Sequence, residues 1–278
     1  MKTQVNKRKQ FESVADTLFI PLTARIYVSR RFPEYFYDAR ALELAHVLPN
    51  DSIEKKSSEY AMLASVARCQ NLDEMTKKFI SVHAKCNIVN LGCGLETAYD
   101  RINSKTALFY EVDLPAVIES RMQFLQEGKN EKLIAGDLFD LSWVNQIADC
   151  TRPTLLIVSG VFQYFHEEEI LAFIKKCSTV FPQAELIFDA ANKTGIRYAN
   201  QYVRKTGNHS AMMYFYVNDC MLFAEKAEAQ LIEWRPFYTK TRKIIGSKTG
   251  LYTRIAMKVC DDLARAKLIH LKLSNLTK

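Results

Sequence analysis

The stretch NIVNLGCGLETAYDRI, residues 87–102, decides the fold that this sequence predicts. Its apolar first part ends on two glycines one residue apart, Gly92 and Gly94. A second β-like run, ALFYEV at 107–112, follows and ends on Asp113. Glycines after one strand and an acid after the next are typical of a doubly wound sheet, in which ligands bind beyond the carboxyl ends of parallel strands.

Short β-like runs alternate with helical segments along the middle of the chain. Strands are predicted at 87–91, 107–112, 132–135, 154–158 and 185–188, and helices at 115–127, 142–148 and 167–180. This alternation predicts βαβ units and a parallel sheet. Two more strand candidates, 231–238 and 252–259, complete a seven-stranded, mostly parallel, Rossmann-like sheet of the α/β class.

The remaining segments predict additions to this core. Apolar residues spaced by three and four within EYAMLASVARCQNLDEMTKKFISVHA predict helix before the first strand. We therefore expect a helical N-terminal cover, a Rossmann-like core, a helical lid or acceptor-binding insertion, the final strands and a C-terminal tail. Their predicted bounds are 1–86, 87–190, 191–229, 230–260 and 261–278.

Composition narrows the class of protein. The 278 residues are 48% hydrophobic and 25% charged, as in ordinary globular proteins. The net charge is +7, but residues 1–10 and 261–278 hold six of these seven charges. Because the body of the fold is nearly neutral, we expect no nucleic-acid partner.

Cysteine spacing and hydropathy narrow it further. The seven cysteines are isolated, so the sequence predicts neither a metal site nor a disulfide framework. The first residues lack the apolar core of a signal peptide, and no apolar run approaches the roughly 18 residues of a membrane helix. We therefore expect a cytoplasmic protein without a membrane partner.

The glycines and acids predict a pocket for an adenosine-containing ligand. Two glycines alone also suit a plain strand-to-helix turn, but Asp113 lies where an acid can accept hydrogen bonds from both ribose hydroxyls. The third glycine of GxGxxG is absent, since Thr97 stands there, which favours S-adenosylmethionine over a pyrophosphate-containing dinucleotide. Beyond the third strand, Asp137 can accept from an adenine amino group while Leu138 packs against the ring.

Four stretches carry a resemblance to a known family: VNLGCGLET, FYEVDLPAVIESR, AGDLFDLSW and SGVFQYF. They resemble the signatures of the leucine carboxyl methyltransferase-like family, above all its bacterial branch of polyketide-biosynthesis O-methyltransferases. The similarity extends from TARIYVSRRF to about residue 240 of this chain. It implies a class I methyltransferase fold and methyl transfer from S-adenosylmethionine to a carboxylate or hydroxyl of a small molecule. A monomer and a homodimer stay equally open.

The resemblance also implies which residues contact the cofactor. Arg68 would pair with the methionyl carboxylate, and as a guanidinium it can form two parallel hydrogen bonds, although alone it also suits a solvated helix charge. The implied set is Arg68, Gly92, Cys93, Gly94, Asp113, Leu114, Asp137, Leu138 and Ser159.

Three positions depart from the family pattern. Glu96 replaces an aspartate, Ala98 replaces an arginine, and Ser159 replaces a glutamate after the fourth strand. A serine cannot supply the negative charge of that glutamate. Any role of the glutamate in binding the methionyl amine therefore does not transfer to Ser159. These departures keep open a protein that binds the cofactor with degenerate catalysis or none.

Acceptor contacts are predicted after the fourth strand and in the aromatic segment 195–217. The candidates are Phe162, Tyr164, Tyr198, Tyr202 and His209. The aromatic residues equally suit the core of a helical cover. No catalytic residue is predicted, because the cofactor brings an activated carbon and a carboxylate acceptor needs no general base, whereas a phenol would need one.

The sequence disfavours two other classes of enzyme. A base-amine methyltransferase usually has an N/D-P-P-Y/F-like segment after strand four, which SGVFQYF lacks. A nicotinamide-dependent dehydrogenase is disfavoured by the incomplete glycine pattern.

Overall fold

The computed structural model describes residues 18–48, 54, 57–206 and 212–273, apart from the side chains of 202–206. Its centre is one seven-stranded sheet. The strands are β1 Asn87–Leu91, β2 Leu108–Asp113, β3 Glu131–Ala135, β4 Thr154–Val158, β5 Ala184–Ala191, β6 Ala229–Pro236 and β7 Ala266–Leu273.

The strand order is β3-β2-β1-β4-β5-β7-β6. β7 runs antiparallel to β5 and β6, and the pairs among β1 to β5 are parallel. The order reverses between β1 and β4, which opens a crevice at the carboxyl ends of these strands. We call the row of carboxyl ends of β1 to β5 the carboxyl edge. The prediction of a doubly wound, mostly parallel sheet of seven strands is confirmed.

Helices cover both faces of the sheet. They are α1 18–31, α2 Ala39–Glu43, α3 Glu59–Val82, α4 Ala98–Ile102, α5 Pro115–Met122, α6 Glu167–Val180, α7 Lys193–Thr206, α8 Cys220–Lys226, α9 Thr239–Ile245 and α10 Leu251–Asp262. Ser58 caps α3 by accepting from the backbone N–H of Ala61 at 3.2 Å, and Pro115 opens α5 with a preset φ.

The hydrophobic core has a layer on each face of the sheet. Alternation along β1 sends Val89 and Leu91 into the layer that α6 and α8 cover, and Ile88 into the layer that α1, α3 and α10 cover. Because β1 is buried on both faces, its sequence NIVNL does not alternate between apolar and polar residues. Its two asparagines are buried with hydrogen-bond partners, since Asn87 donates to Thr154 and Asn90 to Glu111.

The predicted strand at 252–259 is wrong. That segment lies in α10, whose buried residues Thr253, Met257, Cys260 and Asp261 follow helical spacing. The last strand is β7, in the predicted C-terminal tail.

Several predicted helical segments are shorter than expected. The predicted helix 115–127 ends at Met122, and 142–148 contains a 3₁₀ helix over Ser142–Gln146. Other 3₁₀ turns lie at Leu44–Val47, Phe162–Tyr164 and Gly246–Lys248. Within 191–229, residues 212–218 are not helical.

Candidate active site

The turn after β1 has a backbone that suits glycine. Gly92 and Gly94 have φ of +73° and +50°, in the left-handed region. A Cβ on Gly92 would lie 2.5 Å from Cγ2 of Val161, in the turn after β4. The two turns that flank the switch point therefore touch, and a side chain at position 92 would separate them.

Asp113, at the end of β2, is bound to this turn. Its Oδ2 accepts from the backbone N–H of Gly94 at 2.8 Å, and its Oδ1 accepts from that of Leu114 at 2.8 Å. Burial raises the pKa of Asp113 above its ordinary value, although these two N–H groups oppose the rise. Each carboxylate oxygen can still accept a further hydrogen bond, so Asp113 can bind hydroxyls.

The turn after β3 lies beside Asp113, because the backbone N–H of Gly136 donates to the Asp113 carbonyl at 2.9 Å. Asp137 is exposed, and its Oδ1 accepts from the N–H of Phe139 at 2.8 Å. Leu138 is half-buried and packs against the core, while Leu114 is 49% exposed. Both predicted adenine residues thus follow β3, the strand next to β2.

Arg68 is largely buried and points from α3 toward the turn after β4. Its Nη1 lies 3.3 Å from Oδ2 of Asp189, at the end of β5. Oδ1 of Asp189 accepts from the backbone N–H of Gly160 at 2.6 Å. A Cβ on Gly160, whose φ is +73°, would lie 2.8 Å from Nη1 of Arg68. Arg68 is therefore a buried ion-pair partner at the carboxyl edge, not a solvated helix charge.

Two buried arginines hold the carbonyl groups of the glycine turn. Nη1 of Arg121 donates to the carbonyls of Gly94 and Glu96 at 3.0 and 2.7 Å. Nη2 of Arg25 donates to the carbonyl of Leu95 at 2.6 Å. Because its carbonyls are fixed from α1 and α5, the turn is preorganised.

The departures at Glu96 and Ala98 have a local explanation. Arg101, one turn of helix after Ala98, donates from Nη1 to Oε1 of Glu96 at 2.6 Å. Burial opposes the charge on Glu96, yet Arg101 and Arg25 hold its pKa well below the usual range. Thr97, at the missing third glycine, donates from Oγ1 to Oδ2 of Asp38 at 2.6 Å.

The predicted acceptor residues after β4 differ in how far they are exposed. Phe162 is 1% exposed and packs against Phe173, Phe188 and Phe215, so in this structure it supports the carboxyl edge from within the core. Tyr164 is 37% exposed.

The extended segment 212–218 runs along the carboxyl edge. Its Tyr214 N–H donates to the Gln163 carbonyl at 2.7 Å, and its Val217 N–H donates to the Ala191 carbonyl at 2.9 Å. The segment thereby links the turn after β4 to the end of β5. Tyr214 and Tyr216 stay exposed while Phe215 and Val217 are buried, so one side of the segment presents tyrosine rings.

Two further acceptor predictions lie on or after α7. Tyr198 is 56% exposed, and its ring lies 5.0 Å from the guanidinium of Arg265. Tyr202 belongs to α7, but its side chain lies outside the described residues, and so does His209.

Sequence reasoning missed Asp189 and Gly160. The signal was present, because Asp189 follows the apolar run ELIF as Asp113 follows ALFYEV. Its partner Arg68 lies 121 residues away in the chain, which spacing alone cannot reveal.

Among the described residues, no helix is long and apolar enough to span a membrane, and no His, Cys, Asp or Glu side chains group as a metal site.

Comparison with solved structures gives the class of the fold. A candidate methyltransferase from Thermobifida fusca matches with a TM-score of 0.59 at 13% identity, over 90% of this chain and 94% of that chain. A DUF574 family protein from Streptomyces avermitilis matches with a TM-score of 0.57 at 13% identity, over 90% and 96%. With the glycine turn at the switch point, the sheet defines the class I methyltransferase fold.

Sequence comparison gives the family. The model described as leucine carboxyl methyltransferase matches residues 16–178, more than half of the chain. The tetracenomycin polyketide synthesis O-methyltransferase TcmP of Streptomyces glaucescens is 27% identical over 197 residues, 70% of this chain and 73% of that protein. The chain belongs to the leucine carboxyl methyltransferase family, whose members are S-adenosylmethionine-dependent methyltransferases.

The residues at the carboxyl edge fit this cofactor. The glycine turn is a cradle that a Cβ at position 92 would disrupt, and Asp113 keeps acceptor capacity on both oxygens. Nε of Arg68 is buried and has no hydrogen-bond partner among the described residues, so it can serve a carboxylate. When bound, S-adenosylmethionine supplies a methyl group activated by a positively charged sulfur.

Proposed function

We propose that the protein transfers a methyl group from S-adenosylmethionine to a carboxylate or hydroxyl oxygen of a small-molecule acceptor. The observation that carries this proposal is the convergence of Asp113, the glycine turn and Arg68 on the crevice where the strand order reverses. The 27% identity to TcmP, itself an O-methyltransferase of polyketide synthesis, supports oxygen as the acceptor atom.

Each residue of the proposed cofactor site has a separate role. Asp113 accepts from the ribose hydroxyls beside Leu114, and Asp137 with Leu138 borders the adenine. Gly92, Cys93 and Gly94 leave the methionyl chain against bare backbone, and Arg68 binds its carboxylate with donors that Asp189 does not use. Ser159 borders the same tail. These residues bind and orient the cofactor and contribute no proton transfer.

The acceptor side of the proposed site is aromatic. Tyr164 and Tyr214 lie beside the turn after β4, Tyr216 lies further along the segment 212–218, and all three expose their rings. Exposed aromatic rings favour a flat or apolar acceptor. Nearby His166 opens α6, where its backbone N–H donates to Oε2 of Glu169 at 2.9 Å. We assign it to helix capping and name no general base, which suits an acceptor that is already ionised.

Turnover tests the reaction directly. The protein is incubated with methyl-labelled S-adenosylmethionine and a panel of aromatic carboxylic acids and phenols. We expect labelled product, and its release by mild alkali identifies a methyl ester as opposed to an ether. Cofactor binding without S-adenosylhomocysteine formation for any acceptor favours the degenerate alternative, whereas transfer to nucleic acid alone contradicts the small-molecule acceptor. The absence of a nucleic-acid partner, the cytoplasmic location and the oligomeric state stay predictions.

Asp113→Ala tests the cofactor site. We expect loss of detectable S-adenosylhomocysteine binding by calorimetry with the fold retained, because the variant lacks both ribose acceptors and the acceptor of the Gly94 N–H. Asp262→Ala, which removes an exposed carboxylate on α10, is the control and keeps affinity. Unchanged affinity in Asp113→Ala refutes the assignment.

A further inference from the structure

We propose that Asp189 binds the ammonium group of the cofactor's amino-acid tail, so that Asp189 and Arg68 together recognise a zwitterion. The inference rests on the proposed function, and it assigns a residue that the family resemblance does not. An α-amino acid carries an ammonium and a carboxylate on one carbon. A site that binds both needs an anion and a cation side by side, which is the arrangement at the end of β5.

The position of Asp189 is fixed from two directions. The backbone N–H of Gly160 donates to Oδ1 at 2.6 Å, and Nη1 of Arg68 lies 3.3 Å from Oδ2. The Asp189 side chain is 12% exposed, so its charge is screened little by water. A carboxylate held in this way keeps lone pairs for a further donor, and an ammonium is the donor that returns most electrostatic energy.

The ion pair with Asp189 does not use all the hydrogen-bond donors of Arg68. A guanidinium has five N–H donors, and the ion pair uses Nη1. Nε is buried and without a partner among the described residues, which is costly unless a ligand satisfies it. Arg68 can therefore bind the ligand carboxylate while it still holds Asp189.

The register of the sheet places Asp189 next to Ser159, the position at which the family has a glutamate. Val158 of β4 pairs with Phe188 of β5, so Ser159 and Asp189 are the next residues along two adjacent strands. Neighbouring strands lie about 4.8 Å apart, which places these two positions side by side on one face. Ser159 stands where the family has a glutamate, and the Asp189 carboxylate on the adjacent strand can supply the negative charge that Ser159 lacks.

The experiment compares ligands that differ in one charged group. Calorimetry measures wild type and Asp189→Asn with S-adenosylhomocysteine, with its analogue lacking the amino group, and with methylthioadenosine, which lacks the whole amino-acid portion. Asp262→Asn, in an exposed ion pair on α10, is the control. We expect Asp189→Asn to weaken S-adenosylhomocysteine binding roughly 10- to 100-fold, the range for one hydrogen bond to a charged group, and to change the other two affinities less than about twofold.

Each other outcome has a defined meaning. Equal S-adenosylhomocysteine affinity in wild type and Asp189→Asn overturns the inference while leaving the proposed function intact. An equal loss for the deaminated analogue also overturns it, because Asp189 would then act by positioning Arg68. Absence of S-adenosylhomocysteine binding in wild type overturns the proposed function itself.

Two further measurements do not depend on the folding of Asp189→Asn. Wild type alone should bind the deaminated analogue at least about tenfold more weakly than S-adenosylhomocysteine, and equal affinities overturn the inference. Adding Ser159→Glu to Asp189→Asn returns a carboxylate to the adjacent strand. We expect this double variant to regain most of the lost affinity, and no recovery with an intact fold counts against a role for the charge.

Discussion

Arg68 and Arg101 are both largely buried arginines at the carboxyl edge, yet their surroundings differ. Arg101 donates from Nε and Nη2 to the two oxygens of Asp73 at 2.8 and 2.9 Å, and from Nη1 to Asp38 and Glu96. Its side chain is 6% exposed. Among the residues that the structure describes, Arg68 has one ion pair, through Nη1 to Asp189, and its Nε has no hydrogen-bond partner.

The difference supports the proposal that Arg68 binds the ligand, whereas Arg101 is structural. The Arg101 cluster, which comprises Arg101, Arg25, Asp38, Asp73 and Glu96, satisfies its charges internally and joins α1, α3 and α4 to the glycine turn. Arg68 keeps donors at the carboxyl edge that the described residues do not satisfy. A buried Nε without a hydrogen-bond partner also occurs on Arg25 and Arg121, so this feature alone does not mark a binding site. What supports the proposed role of Arg68 is that its unsatisfied donor lies beside Asp189 at the carboxyl edge.

The largest effect is expected from breaking the Arg101 cluster. Arg101→Ala removes both hydrogen bonds of Arg101 to buried Asp73 and leaves Asp38 and Glu96 with Arg25 alone, so we expect the free energy of unfolding to fall by about 3–5 kcal/mol. Urea denaturation measures it. Arg152→Ala, whose partner Asp149 is exposed, should cost less than about 1 kcal/mol. A similar small loss for Arg101→Ala would show that the cluster does not hold the fold.

Glu96 and Glu111 extend the comparison to carboxylates. Burial opposes the charge on both, but two guanidinia keep Glu96 ionised. Glu111 accepts from Nδ2 of Asn90 at 2.7 Å and leaves Oε2 buried without a partner among the described residues. Burial, partly opposed by Arg121, raises the pKa of Glu111 to about 8.

The raised pKa of Glu111 predicts a pH dependence of stability. The folded protein takes up a proton that the unfolded chain releases near its ordinary value, so this contribution is present at low pH and is lost as pH rises toward 8. Glu111→Gln removes the dependence. Between pH 5 and pH 9 we expect the variant to gain up to roughly 4 kcal/mol relative to wild type, measured by urea denaturation. Parallel curves for the two proteins would mean that Glu111 does not titrate there.

A smaller effect, on binding, is expected at Arg68. Arg68→Ala should weaken S-adenosylhomocysteine binding by roughly 1.5–3 kcal/mol, the range for hydrogen bonds to a charged group, and should destabilise the fold less than Arg101→Ala. Arg68→Lys keeps the charge but loses the planar fork, so it should recover only part of the affinity. Calorimetry that finds no change in Arg68→Ala would return this residue to a structural role.

The part of the fold that the sequence predicts well is the part built from local units. From β1 to β5 each strand is followed by its crossover segment, so alternating patterns record the topology. The residues of the glycine turn and Asp113 lie at strand ends, where position along the chain gives position at the carboxyl edge.

The prediction for the end of the chain was wrong because the contacts that stabilise β7 are with residues far away in the sequence. β7 contains Lys267 and His270, and both are buried. Lys267 donates to the Val217 carbonyl at 3.1 Å, and His270 Nε2 lies 2.6 Å from Glu185. These partners are 50 and 85 residues away, so the pattern of β7 alone could not show that a strand was stabilised there. Asp189 escaped detection for the same reason.

The most direct test of the account is a crystal structure of the protein with S-adenosylhomocysteine. We expect the ribose hydroxyls on the Asp113 carboxylate, the amino-acid tail along residues 92–94, and its carboxylate and ammonium on Arg68 and Asp189. A ligand bound away from the carboxyl edge, or an Asp113 carboxylate directed away from the ribose, would contradict it.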